Sequence, residues 1–155
     1  MPHLSVAVES YPIAGSFVIS RGAKSEATVI VATLQSGRHR GRGECVPYSR
    51  YGESIESVLR QIEALRPALE AGATRAELQK LMPGGAARNA LDCALWDLEA
   101  KRRAIAAYEL AKLPPPAPAL TAYTISLAPP AASPPHSART SPISAPSARG
   151  AWATM

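Results

Sequence analysis

The chain is short of the residues that staple, span or stack. Two cysteines, Cys45 and Cys93, lie far apart in no metal-ligand spacing and read as reduced, partly buried thiols of a cytoplasmic protein, with a disulfide between them as the alternative. Aromatic residues make up 5% of the sequence, with Phe17 the single phenylalanine, so no aromatic platform for stacked bases is expected. No apolar run approaches the ~18 residues that cross a bilayer, and the opening "MPHLSVAVES" lacks the basic-then-apolar pattern of a secretory signal. The net charge of +5 includes no block of five lysines or arginines. Neither a nucleic-acid nor a membrane partner is therefore expected. His3, His39 and His136 fall on a terminus, a hairpin tip and a tail, and no nucleophile–base–acid set can be assembled around them. Lysine is confined to Lys24, Lys80, Lys101 and Lys112, and no acidic residue follows Glu109.

What is present divides sharply by region. Residues Ala128 to Met155 hold six prolines, eight alanines and five serines in 28 positions, a composition that does not build a core. Before them, Leu4, Val6 and Val8 alternate with smaller or polar residues in the period of a half-buried strand, which Tyr11-Pro12 and Ala14-Gly15 are expected to break. A short apolar group follows at Ser16 to Ser20. "ATVIVATLQ", Ala27 to Gln35, is the strongest strand, and "GRGECV", Gly41 to Val46, offers its return after a turn at Ser36-Gly37. Three strands in about 45 residues predict an antiparallel meander. Gly41 and Gly43 imitate a dinucleotide loop, but Val46 occupies the position of its third glycine, and an arginine-rich hairpin tip needs no ligand.

From Tyr51 the period becomes helical. Ser54 caps a helix carrying Ile55, Val58, Leu59, Ile62, Leu65 and Leu69, which Pro67 is expected to end or kink. "TRAE", Thr74 to Glu77, is a capping box opening a short helix stopped by Pro83-Gly84-Gly85. Ala86 to Arg103 forms the next helix; its small face, Ala87, Ala90 and Ala94, predicts close packing against another helix. Asp92 and Asp97 suit surface or capping roles, and Tyr108, Leu110 and Leu113 suit a last helical turn. Strands followed by helices give an α+β fold, with one further strand at "LTAYTISL" that has no partner of its own. Two loops, Pro12 to Gly22 and Pro47 to Glu53, carry the residue types that line binding sites.

"FVISRG", "GRGECVPYSRYGES", "GGAARNALDCALWDLEAK" and "TAYTISL", taken together and in this order, resemble the N-terminal part of the L-Ala-D/L-Glu dipeptide epimerases of the enolase superfamily. Single pieces such as "ALWDL" are shared with the mandelate racemase and muconate-lactonising relatives. The resemblance covers about Leu4 to Leu127. It implies a capping domain at residues 1–113, a linker and first barrel strand at 114–127, and a disordered Pro/Ala/Ser-rich tail at 128–155. It also implies a (β/α) barrel in the intact enzyme, where two strand lysines exchange the substrate α-proton and three acidic residues hold Mg²⁺. No lysine or acidic residue of this chain occupies such positions, so neither catalytic residues nor metal ligands are expected in it, and the chain alone is expected to be inactive.

The resemblance carries substrate recognition instead. Arg21 in the first loop would pair with the distal carboxylate of a dipeptide's Glu residue. Phe17 and Ile19 either line the same pocket or belong to the core. Arg50 and Tyr51 either close the second loop over substrate or, for Tyr51, simply pack before the helix. Thr124 would reach substrate only within a complete barrel. Dipeptide binding in that context and self-association through an exposed barrel-facing surface are the expected partnerships. The alternative reading is a stand-alone binding or regulatory module with a disordered Pro-rich tail. The abrupt change after Leu127, with Ala, Pro, Ser and Arg replacing acidic residues, is what GC-rich codons give when read out of register.

Overall fold

A computed structural model describes residues 1–19 and 22–120. Three antiparallel strands, β1 (His3–Ile19), β2 (Gly22–Ser36) and β3 (His39–Cys45), form one sheet in the order β1-β2-β3. Four helices follow: α1 (Ile55–Glu70), α2 (Arg75–Leu81), α3 (Ala86–Arg103) and the single turn α4 (Ala107–Leu110). The α+β meander expected from the sequence is therefore present. The strand at "LTAYTISL" and the tail lie, but for Leu120, outside the described residues.

The helices cover one face of the sheet. Leu4, Ala32 and Leu34 point into that layer with Ile30 and Cys45, where they meet Val58, Ile62, Leu78, Leu91 and Leu98. Ile30, Val58, Ile62, Leu78 and Leu91 are completely excluded from solvent. Burying such a side chain contributes about 1.5–3 kcal/mol relative to leaving it exposed. The cover is incomplete: along β1, Leu4 is buried, Val6 half-buried and Val8 exposed, and Gly22 to Ala27 of β2 are all exposed. The far end of the β1–β2 hairpin thus projects beyond the helices as an arm.

Three local details differ from the sequence reading. β1 stays extended through Tyr11-Pro12, an edge position where a proline withholds no amide the sheet requires, and the expected break takes the form of a register shift between Pro12 and Phe17 instead of an end to the strand. α1 continues past Pro67 to Glu70, held by buried Leu69, by the Glu63–Arg66 ion pair (2.7 Å) and by Glu70, which accepts the Leu4 amide at 3.1 Å. The small face of α3 packs against β3, not against a helix. A Cβ placed on Gly41 would lie 2.1 Å from the Ala94 carbonyl oxygen, and one on Gly43 would lie 2.1 Å from that of Ala90. The glycines of the arginine-rich hairpin are therefore a seat for α3. Ser54 caps α1 as expected, in a capping box with Ser57.

Asp97 strengthens that seat by accepting the Arg42 backbone amide at 2.8 Å and the Lys101 ammonium at 2.7 Å. The Thr74–Glu77 capping box is formed as its sequence requires, with reciprocal bonds of 3.3 and 2.7 Å. On the opposite face of the sheet Arg42 pairs with Glu9 at 3.1 Å and Glu44 at 3.7 Å.

Candidate functional site

A strand irregularity aims the projecting arm. From His3 to Pro12, β1 pairs residue by residue with Gln35 to Glu26 of β2, and it resumes at Phe17 opposite Lys24. Four β1 residues, 13–16, thus face a single β2 residue, Ser25. The extra three residues reverse the alternation of β1. Even-numbered Leu4 and Val6 face the helices before the bulge, and odd-numbered Phe17 faces that side after it. Directly opposed residues of an antiparallel pair project from the same face, which places Lys24 beside Phe17.

The second loop comes to meet this arm. After Cys45 the chain makes a short 3₁₀ turn, Ser49–Tyr51, closed by Gly52 in the left-handed conformation (φ 72°). Glu53 anchors the loop at both ends. One carboxylate oxygen accepts the Tyr48 amide at 3.0 Å and the other accepts the Ala86 amide at 2.7 Å, in the first turn of α3. Gly85 at the α3 N-cap has no side chain to offer, so Glu53 supplies the missing acceptor, and its negative charge suits the positive end of the helix. The Tyr48 and Tyr51 rings meet edge to face with centroids 5.5 Å apart.

Between arm and loop lies an open groove of about 660 Å³, lined on one side by Phe17, Gly22, Ala23 and Lys24 and on the other by Tyr48, Ser49 and Arg50. It combines one apolar ring, a phenol, a hydroxyl and two cations. No described carboxylate lines it, and neither Lys24 nor Arg50 forms an ion pair with a described residue. Such a lining suits an anionic occupant with an apolar part. A second concavity of about 590 Å³, between α2 and α3, is of another kind. There Arg75 stacks on Trp96 at 3.4 Å and pairs with Glu99 at 2.9 Å, so its charge is already matched.

Of the residues singled out from the sequence, the groove brings together Phe17, which is half-buried, and Arg50. Tyr51 is 77% exposed and contributes through its contact with Tyr48 instead of lining the groove. Ile19 pairs through its backbone with Gly22, and its side chain is not described. Arg21 and Thr124 lie outside the described residues. Sequence reasoning missed Lys24, Tyr48, Ser49 and Glu53. Among the described residues no three histidine, cysteine, aspartate or glutamate side chains converge as a metal-binding group.

The cysteines take no part. Burial pushes the Cys45 thiol up to about 11; Cys93 is exposed and not partly buried as expected, and its thiol is also raised, by partial desolvation and the neighbouring Asp92, so both are protonated at neutral pH. No described helix is long and apolar enough to cross a membrane.

A three-stranded antiparallel meander followed by helices packed on one face is the architecture of an enolase-superfamily capping domain. The chain belongs to the mandelate racemase / muconate lactonizing enzyme N-terminal domain family, whose description matches residues 3–111. Among particular relatives, the L-Ala-D/L-Glu epimerase of Escherichia coli strain K12 is 48% identical over 130 residues, covering 84% of this chain and 40% of that protein. An enolase family member from Agrobacterium tumefaciens with homology to dipeptide epimerases was solved with bound sodium, L-Ala-L-Glu and an ordered loop. It superposes with a TM-score of 0.79 at 53% identity over 84% of this chain and 40% of its own. The dipeptide epimerase of Enterococcus faecalis V583, complexed with Mg and L-Leu-L-Tyr, shares the fold with a TM-score of 0.60 at 22% identity over 70% of this chain and 33% of its own. The chain therefore spans about 40% of the length of the curated epimerase it matches.

Proposed function

We propose that residues 1–113 are the substrate-recognising cap of a dipeptide epimerase acting on L-Ala-D/L-Glu, with residues 114–127 serving as linker and first barrel strand. The observation that carries this reading is the groove between the β1–β2 arm and the loop after β3, where Phe17 and Tyr48 offer apolar surface and Lys24 and Arg50 offer positive charge without a described carboxylate partner. A glutamate side chain fits that lining, since it brings methylenes and a carboxylate. Arg21 stands next in sequence to the groove residue Gly22 and supplies a guanidinium fork for the same carboxylate. Closing the two loops over a barrel mouth would exclude water and strengthen these charge pairs.

The proton-transfer groups lie elsewhere in this reading. Mg²⁺, when bound in the barrel of the intact enzyme, would stabilise the enolate that forms as the α-proton leaves. This chain's described residues hold and orient the acyl-glutamate and move no proton. The test is solvent-deuterium exchange at the glutamate α-carbon of L-Ala-L-Glu in the presence of Mg²⁺. The chain alone is expected to leave the α-proton in place, and sustained exchange by the chain alone would overturn the assignment.

A further inference from the structure

A three-stranded sheet has two free edges, and the helices cap one of them and only the start of the other. On β3 the outward backbone groups are taken by α3: Asn89 donates to the Glu44 carbonyl at 3.1 Å, Asp97 accepts the Arg42 amide at 2.8 Å, and Lys101 donates to the Arg40 carbonyl at 3.0 Å. On β1 the helix α1 does the same at Leu4, whose amide goes to Glu70 at 3.1 Å and whose carbonyl accepts from Arg66. Backbone groups alternate in direction along an antiparallel strand, so Val6, Val8, Ser10 and Pro12 face outward with Leu4. Pro12 has no amide to present. Between Leu4 and Pro12, the outward amides and carbonyls of Val6, Val8 and Ser10 have no described protein partner, and Val8 is 46% exposed. An open strand edge of this kind is a template for another strand.

We propose that Val6 to Ser10 of β1 pair antiparallel with the same segment of a second copy of this chain, joining two sheets into one about a two-fold axis at Val8. The segment is complementary to itself in that register. Val8 meets Val8, Val6 meets Ser10, and the ladder stops at both ends where Leu4, its groups already taken, stands opposite Pro12, which has no amide to offer. Charge agrees with this pairing: Glu9 falls opposite Ala7 of the second copy instead of another carboxylate, and each Glu9 keeps its own Arg42 at 3.1 Å. Shape agrees as well. The helices cover the Leu4 end of the strand and leave the arm beyond Val8 bare, so the helix layer of one copy lies beside the bare arm of the other. This contact needs only the sheet edge and is independent of substrate recognition.

The test is analytical ultracentrifugation of the full chain over a concentration series, with amide hydrogen exchange read at the lowest and highest concentrations. The wild type should pass from monomer to dimer as concentration rises, and exchange at Val6, Val8 and Ser10 should slow in step by about tenfold or more, as amides entering a ladder do. Val8→Pro deletes an outward amide and no bond of the existing sheet, as Pro12 already does, and should give a folded monomer. Val8→Lys, which sets two ammonium groups against each other across the axis while leaving the backbone intact, should also be monomeric. Leu113→Ser, which removes an apolar side chain 60% exposed at another place, should dimerise like the wild type. A wild type that stays monomeric up to its solubility limit, or a dimer that survives Val8→Lys, would overturn the pairing. Protection of the Val6, Val8 and Ser10 amides that does not depend on concentration would overturn it too, because the edge would then be covered from within the same chain. Loss of the dimer in Leu113→Ser as complete as in Val8→Lys would move the contact away from β1.

Discussion

At the scale of single residues, the most demanding positions are glycines. Gly43 touches α3 so closely that one added methyl group would stand 2.1 Å from a helix carbonyl, and both partners are backbone. Gly43→Ala should therefore destabilise the fold by about 2–3 kcal/mol, as overpacking of a rigid contact does. Urea unfolding would show it as a lower midpoint, and an unchanged midpoint would mean that α3 is not seated on β3. The sequence contained both halves of this contact, the alanine stripe of α3 and the glycines of the hairpin. Periodicity names a small face, however, without naming whether a helix or a strand lies against it.

Charged residues add a pH dependence. Glu70 is held below its ordinary value of 4.5, first by the Leu4 amide it accepts and then by the Arg66 guanidinium. Glu77 is lowered by its capping-box amide and Glu63 by Arg66. These carboxyls stay ionised to lower pH when folded than when unfolded. Their stabilisation is complete above the ordinary value and is lost as pH falls through the depressed ones. Thermal midpoints should fall below about pH 4.5, and Glu70→Gln should reduce that slope. Cys45 acts in the opposite range. With its thiol raised to about 11, stability should be lost as pH climbs above the ordinary 9.0. An identical acid slope in Glu70→Gln would contradict the assignment to Glu70.

At the scale of elements, the long helices were the most legible. α3 begins at Ala86 and ends at Arg103 as its pattern requires, and α2 opens on the Thr74–Glu77 box. What failed was the reading of Pro67 as the end of α1. Pro12 lies on an edge and Pro67 lies in the last turn of a helix whose end is anchored by tertiary contacts. The break expected at Tyr11-Pro12 and Ala14-Gly15 is present as the register shift between Pro12 and Phe17; what alternation could not show is that pairing resumes beyond it with the face of Phe17 reversed. Glu53 was hidden for another reason: its partners, Tyr48 and Ala86, are joined only by the fold. Glu53→Ala should cost about 1 kcal/mol, the usual loss of a helix cap. It should also speed hydrogen exchange at the Tyr48 and Ala86 amides while sparing β2. Exchange that rises uniformly along the chain would show that Glu53 does not tether the second loop specifically.

At the scale of the whole molecule, the account divides labour between a cap that recognises and a barrel that reacts. The cap side is built from features in the described chain: an arm aimed by a bulge, a loop tethered by Glu53, and a groove between them without a carboxylate in its lining. The lysines at 24, 80, 101 and 112 all lie within the cap or just after it. The measurement that addresses this division most directly is deuterium exchange at the glutamate α-carbon of L-Ala-L-Glu by two proteins, followed by proton NMR. One is this chain alone; the other is a chimera in which residues 3–111 replace the corresponding part of the Escherichia coli L-Ala-D/L-Glu epimerase. The account predicts no exchange by the chain and sustained exchange by the chimera, with L-Ala-L-Glu preferred over L-Ala-L-Gln. Exchange by the chain alone, or a folded chimera that is inactive or indifferent to the distal carboxylate, would contradict it.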